Sequence, residues 1–318
     1  MKLFAHAYYK KFKCIADKCK HSCCIGWEID IDDDTLDLYA EEERAYGEVI
    51  RNSIDFDDIP HFRLTDKGKC PHLDDSGLCK IINEFGEGHL CDICTDHPRF
   101  YEDTIIGKIV GIGMCCEEAC RLILTSEDNR IVEIGEIEDE SNLPFPEDDP
   151  INDEDELNYL GDIEFIIELL EAGKDLNFIN KIKKITDTFG FNDFYSNRDT
   201  WLRILDRLEF LNNDNRKLFE AYRGEPTVSQ CLELPLERIL TYFIYRHCIG
   251  AKGDADFCSG ITFSIICSVL IASIAEHTDA KDIDGLIDIA RTVSEEIEYS
   301  ESNTEIIKDL YDFSNAVI

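Results

Sequence analysis

The residues in this sequence best suited to chemistry are its cysteines. Fifteen occur, and eleven stand within the first 120 residues. Cys14, Cys19, Cys23 and Cys24 fall in a C-x4-C-x3-C-C spacing, so four thiols lie within eleven residues. A short folded loop can bring such a set onto one ion or cluster. Cys70-Pro-His-Leu-Asp-Asp-Ser-Gly-Leu-Cys79 follows, then Cys91-Asp-Ile-Cys94, then Gly111-Ile-Gly-Met-Cys115-Cys116-Glu-Glu-Ala-Cys120. Thiolates are soft ligands whose charge a metal neutralises, which points to zinc or iron–sulfur chemistry. The first two groups sit in polar surroundings with Lys and His, unlike thiols that merely pack in a core. For Cys115, Cys116 and Cys120 the apolar run Gly111–Met114 leaves the core reading equally open. Cys231, Cys248, Cys258 and Cys267 take apolar helical positions and read as core. His21 and His97 stand beside Cys groups and could orient or replace a thiolate, with plain hydrogen bonding as the blander reading. Trp27 is expected to pack over the first cluster and shield it from water.

The succession C-x4-C-x3-C-C, C-P-H-L-x4-L-C-x-I and C-x2-C-x3-P resembles the cysteine-rich, CxxCxxCC-like zinc- or iron-chelating family. The opening gaps are longer here, and His89-Leu90 replaces the Arg-Pro that the family carries before its last Cys. The stretch from Tyr9 through Cys14, Cys19 and Cys23-Cys24 to Trp27 is similar to the flagellin lysine-N-methylase branch. Asp96-His-Pro-Arg-Phe100 and Gly113-Met-Cys-Cys-Glu-Glu-Ala119 extend that similarity, which covers roughly residues 4–125. The resemblance implies a methyltransferase that acts on protein lysines with S-adenosylmethionine and holds a 4Fe–4S cluster. It also implies a lysine-rich protein partner such as flagellin. Carried over by position, the ligand candidates are Cys14, Cys19, Cys23, Cys24, Cys70, Cys79, Cys91, Cys94, Cys115 and Cys116. Ten thiols exceed the four that one cubane needs, so either two centres exist or several of these Cys are supporting. Zinc is the alternative metal. No methyl-donor site can be read: Gly111-Ile-Gly113 after a short apolar run is a weak signal and reads more simply as a tight turn. The rival function is a non-catalytic zinc- or iron-binding interaction protein.

The rest of the chain must position these groups. Its 318 residues carry 68 Asp and Glu against 32 Lys and Arg, a net charge of −36. That balance argues against a phosphate-backbone binder, whose site needs clustered cations, so no nucleic-acid partner is expected. The first residues show no apolar run of signal-peptide length, so a cytoplasmic setting with reduced thiols is expected. The nineteen uncharged residues from Phe257 to Ala275 could cross a bilayer by length. Four Ser and acidic flanks favour a helix buried in a globular bundle, so no membrane insertion is expected.

The fold class expected is mainly α: a small, Cys-rich, metal-stabilised N-terminal domain with short strands, then an all-helical bundle. The divisions are residues 1–130 for the Cys-rich domain, 131–156 for an acidic Pro-containing linker and 157–318 for the helical domain. Twelve acids and no base between Glu133 and Glu156 mark the linker. Short strands are expected at Trp27–Ile31 and Ile105–Gly113, and helices over Asp34–Asn52 and Glu117–Thr125. Beyond the linker, Leu157, Leu160, Ile163, Ile166, Ile167 and Leu170 recur at helical spacing. Further periodic segments lie near Leu176–Phe189, Thr200–Leu211, Asn215–Tyr222, Leu234–Cys248, Ile283–Ile297 and Glu305–Ala316. Asp199 and Asp282 are expected caps, and Gly190 and Gly224 expected stops.

Overall fold

The computed structural model describes residues 1–136, 153–173, 175–189, 197–278, 280 and 282–310. It is mainly α, with thirteen α-helices and two small sheets among the described residues. A four-stranded sheet near the N-terminus has the order β4 (Arg99–Thr104), β5 (Gly107–Ile112), β1 (Lys2–His6), β6 (Ile131–Glu136), and β2 (Ile54–Asp55) pairs with β3 (His61–Phe62) in the other. Strand β1 (Lys2–His6) runs parallel to β5 (Gly107–Ile112), pairing Leu3 with Lys108, and antiparallel to β6 (Ile131–Glu136). Strand β4 (Arg99–Thr104) closes a hairpin with β5 across Ile105-Ile106. Every residue of β5 is buried, including Lys108, whose Nζ reaches Asp103 at 2.9 Å. Acidity alone thus misplaces the start of the linker: residues 131–136 pair with β1. Helix α6 (Asp153–Ala172) also begins inside that segment, and residues 137–152 lie outside the described part.

Two expectations about the Cys-rich half change. Trp27–Ile31 forms no strand, only one isolated bridge, Asp30 with His61, and Ile25 just before it bridges Lys69. The single helix expected over Asp34–Asn52 is two, α1 (Asp33–Glu41) and α2 (Ala45–Ser53). The break falls at Glu42-Glu43-Arg44, where Arg51 Nη1 donates to the carbonyls of Tyr39 and Glu42, both at 2.8 Å. Those bonds satisfy carbonyls that the end of a helix leaves open. At the start of α1, Asp32 accepts the Thr35 N–H at 2.8 Å, and its other oxygen accepts the Asp92 N–H at 2.8 Å. One carboxylate therefore caps α1 and fixes α4 (Asp92–Asp96), the helix bearing Cys94.

The apolar side chains divide into two separate cores. The smaller holds Ile29, Ile31, Tyr39, Ile50, Ile54, Phe62 and Ile81 together with cysteines. The larger joins Tyr8, Ile109, Ile112, Met114 and the buried face of α5 (Glu117–Thr125) to the C-terminal helices. Its centre is α10 (Glu233–Cys248) packed on α11 (Asp254–His277). Helix α11 is long and apolar enough to cross a membrane by length and composition, yet 89% of its most apolar window is buried inside the protein. Its Ser264 and Ser268 hydroxyls donate to carbonyls one turn back at 2.7 Å, so neither is an unsatisfied polar group. In α6, Ile163, Ile166, Ile167 and Leu170 are buried as their spacing requires, whereas Leu157 is exposed. Asp282 caps α12 (Ile283–Val293) through the Gly285 N–H at 2.9 Å. The cap of α8 (Arg198–Leu205) is Asn197, and the expected cap Asp199 instead donates its N–H to Asn197. Gly224 has a positive φ of 104°, yet the helix before it, α9 (Arg216–Phe219), already ends at Phe219 with Glu220 as its cap, so Gly224 is not its stop; Gly190 lies outside the described residues. Cys248 and Cys267 are buried as expected, Cys258 is half-buried, and Cys231 is exposed, against expectation.

Candidate metal centre

Five cysteines meet in the small core. Cys70 and Cys91 are buried there, with Cys24, Cys79 and Cys94 packed against them. Local turns deliver each one. The Cys24 carbonyl accepts the Cys70 N–H at 2.8 Å, joining the opening motif to the second. Asp74 then accepts the N–H groups of Ser76 at 2.8 Å and Leu78 at 2.9 Å, and Gly77 takes a φ of 84°. This Asp-anchored turn folds the chain back so that Leu73 bridges Cys79. Cys79 opens α3 (Lys80–Phe85) and Cys91 opens α4. The Cys91 and Cys94 sulfurs are 3.5 Å apart, within hydrogen-bonding reach of each other.

Backbone N–H groups point at several of these sulfurs. His72 donates to Cys70, Ile81 and Ile82 donate to Cys79, and Cys94 donates to Cys91. Such donors two and three residues along stabilise a thiolate over a thiol. Burial opposes them, pushing Cys70 up to about 12 and Cys79 upward, while the Cys94 thiol holds Cys91 down. The pocket therefore favours thiolates once a cation offsets the cost of burying their charge. His72 lies inside this core with both ring nitrogens engaged, Nδ1 to Tyr46 Oη at 3.0 Å and Nε2 to Ser53 Oγ at 2.9 Å. Burial lowers it to about 4, so it stays neutral. Neither His72 nor Tyr39 stands out in the sequence. Their only signal is the Cys-Pro-His-Leu run and an aromatic on the inner face of α1.

Four further thiols gather on the other side of the opening loop. The Ala16 N–H donates to Cys14 Sγ at 3.4 Å. The Cys19 thiol lies 3.6 Å from Glu117 Oε2, which also accepts the Lys20 N–H at 2.8 Å. Cys116, at the start of α5, accepts N–H bonds from Glu118 and Ala119 and interacts electrostatically with Cys14, as Cys23 does with both. Burial raises Cys19 to about 11. Cys23 links the groups, since its thiol donates to Cys24 and lowers it to about 7. Trp27 is half-buried and donates Nε1–H to the Cys23 carbonyl at 2.6 Å. Its ring lies 5.9 Å from that of His97. His21 faces Asp288 of α12 at 3.6 Å. Among the described residues, no three Cys, His, Asp or Glu side chains already stand in position to hold a metal ion.

Cys115 departs from its neighbour. It lies against Tyr299 and Glu298 beside a π-helical turn, Ser294–Glu298, that the sequence does not announce. Glu298 is buried and accepts from Tyr242 Oη at 2.7 Å and Ser294 Oγ at 2.5 Å. His247 Nε2 stands 3.3 Å from it and Arg246 Nε 3.7 Å. Burial pushes the Glu298 carboxyl up, but His247, Arg246 and Ser294 outweigh it and hold the group below its ordinary value. Tyr242 Oη also accepts the Met114 N–H at 3.1 Å, tying the end of β5 to α10.

The Gly-x-Gly segment is filled by protein. A Cβ at Gly111 would strike the Phe100 ring, and one at Gly113 the Tyr299 hydroxyl. These glycines admit aromatic packing, not a ligand. A cleft of about 590 Å³ lies elsewhere, lined by Arg198, Leu202, Asp206, Arg216, Lys217 and Arg223 among others, with no cysteine on its walls.

With this geometry in hand, comparison with known proteins gives a distant likeness. A lysine-N-methylase of Salmonella choleraesuis is 26% identical over 129 residues, which is 38% of this chain and 32% of that protein. A lysine-N-methylase of Salmonella typhimurium gives 26% over 132 residues, with the same two shares. The flagellar biosynthetic protein FliU of Salmonella muenchen is also 26% identical over 132 residues, 38% of this chain and 76% of FliU. The chain spans about a third of the length of the two lysine-N-methylases it matches. No family profile matches the chain, and no solved structure matches it.

Proposed function

We propose that this chain is a protein-lysine N-methyltransferase that takes its methyl group from S-adenosylmethionine and acts on a lysine-rich protein such as flagellin. In this reading a 4Fe–4S cluster is held by four of Cys24, Cys70, Cys79, Cys91 and Cys94. The observation that carries it is the meeting of five thiols, from separate segments, in one apolar core with backbone donors aimed at the sulfurs. The likeness to proteins named lysine-N-methylase supplies the reaction class.

The donor set fits such a cluster: soft sulfur ligands, walls of Ile29, Ile81 and Phe62 that exclude water, and N–H groups that stabilise negative sulfur. When bound, a cluster there would supply one-electron or Lewis-acid chemistry to the methyl donor. The chain's own residues hold and dry that pocket. Tyr39 shows this: its ring packs in the small core while its hydroxyl is committed to the His89 carbonyl at 2.7 Å. A net charge of −36 draws a lysine-rich partner and raises the rate of encounter.

The test is anaerobic purification, assay of iron and acid-labile sulfide, and transfer of labelled methyl from S-adenosylmethionine to flagellin and other lysine-rich proteins. Cluster-replete protein that methylates no lysine would falsify the reading. A second reading, a zinc- or iron-binding interaction protein without catalysis, draws on the filled Gly111–Gly113 segment and on a cleft that no cysteine lines. Zinc without sulfide in a colourless, inactive protein is its expected signature.

A further inference from the structure

The division of nine thiols into two groups bears on how much metal the chain carries. We propose that Cys14, Cys19, Cys23 and Cys116 form a second metal centre, a closed tetrahedral four-thiolate site for a divalent ion such as zinc. This rests on the preceding reading only for the identity of the first centre, in the small core.

Three observations converge on it. The first is packing: Cys24, Cys70, Cys79, Cys91 and Cys94 belong to the small core, whereas Cys116 packs against the large one. A single four-ligand centre drawn from both sets would have to draw its ligands from two separate cores. The second is the way the loop is held. Glu117 binds the Lys20 N–H at 2.8 Å and meets the Cys19 thiol at 3.6 Å, which fixes residues 19–20 against the start of α5, where Cys116 sits. N–H groups of Ala16, Glu118 and Ala119 already point at Cys14 and Cys116, the pattern that stabilises coordinated thiolates. Cysteine has one side-chain torsion, so its sulfur can swing onto an ion without moving the backbone.

The third observation is charge. Four thiolates around a divalent ion carry a net charge of about −2. Residues 10–20 hold five Lys against one Asp, in a chain whose net charge is −36. Lys11, Lys13, Lys18 and Lys20 are exposed in the same loop as three of the thiols, a cationic stretch of sequence set against Glu117 and Glu118, which act on Cys19 and Cys116 from α5. Four Cys and no open position make a structural centre, and this one would clamp the opening loop onto α5.

The experiment uses the full chain purified anaerobically, with zinc, iron and sulfide measured per chain. In the wild type, zinc and the iron–sulfur signal are both expected. Cys116→Ser should lose about one zinc per chain and keep iron, sulfide and visible absorption, and Cys91→Ser should do the reverse. Iron and sulfide falling together in Cys116→Ser and Cys91→Ser would mean one shared centre and overturn the proposal. Should a variant fail to fold, the wild type decides. Cobalt(II) in place of zinc should give the intense visible bands of a tetrahedral tetrathiolate alongside the cluster, and their absence overturns the proposal. Absence of methyl transfer with both metal signals intact leaves this inference standing while the proposed reaction falls.

Discussion

Adjacent residues Cys23 and Cys24 differ in nearly everything that sets the chemistry of a thiol. One is exposed and faces Cys14 and Cys116; the other packs in the small core and is lowered to about 7 by its neighbour's donated proton. Spacing made both legible as ligand candidates, because four thiols in eleven residues have few other uses. Spacing could not say which sulfurs share a core, since that depends on segments up to a hundred residues away. Cys115 and Cys116 repeat the lesson, one turned to Tyr299 and the other to Cys14. Other side chains carry the pH response. Burial drives His6 down to about 4 against its Nδ1 contact with the Asn129 carbonyl at 2.6 Å, with Tyr8, Tyr245 and Asp128 around it. The folded protein keeps it neutral while the unfolded chain takes up a proton below about 6.5. Stability from this group is therefore present above pH 6.5 and lost as pH falls toward 4, by about 3 kcal/mol. Urea titrations of His6→Phe across that window should show a flatter slope than wild type, and an unchanged slope would assign the loss elsewhere. Glu298→Gln should cost about 3 kcal/mol, because it leaves the cationic Arg246 without one buried counter-charge. A urea midpoint that does not move would show the network to be redundant.

Helices were far more legible than strands, and the reason lies in period and range. A 3.6-residue repeat is visible within one segment, so α6, α7 (Phe178–Phe189), α10, α11 and α12 fall close to where Leu and Ile spacing put them. Strand β1 needs β5 and β6 before it is a strand at all, and nothing within Lys2–His6 announces them. β6 was hidden by its acidity, since Glu133 and Glu136 read as linker until Lys2 is seen to pair with Glu133 at 2.7 Å. The contact between α10 and α11 makes a sharper prediction. Gly260 of α11 meets the backbone of His247 on α10, leaving no room for a Cβ. Gly260→Ala should force the helices apart and cost about 1–3 kcal/mol by overpacking. Chemical denaturation is the measure. A loss below a few tenths of a kcal/mol would mean that the helix pair relaxes freely.

Across the whole molecule, two cores without shared side chains imply two levels of stability. The small one has few large apolar residues and leans on whatever its thiols bind. Treating the metal-loaded protein with a chelator should raise hydrogen exchange over residues 24–94 first, leaving amides of α10 and α11 protected. Simultaneous loss of protection in both regions would argue for one cooperative unit. The acidity spreads over the entire chain, −11 within residues 1–120 and −25 within 121–318, so it marks no single surface as the docking face.

Strand β1 also fixes an order of events. Its partners are Lys108 to Val110 on one side and residues of Ile131–Glu136 on the other, more than a hundred positions downstream. The segments that build the small core are complete by Cys94, before either partner has been synthesised. A growing chain can therefore close its thiol-rich core while β1 still waits with both edges open, and contacts at such separation are slow to form. The sheet closes only after the small core can, and until then the unpaired β1 is the exposed edge that a folding helper would need to guard.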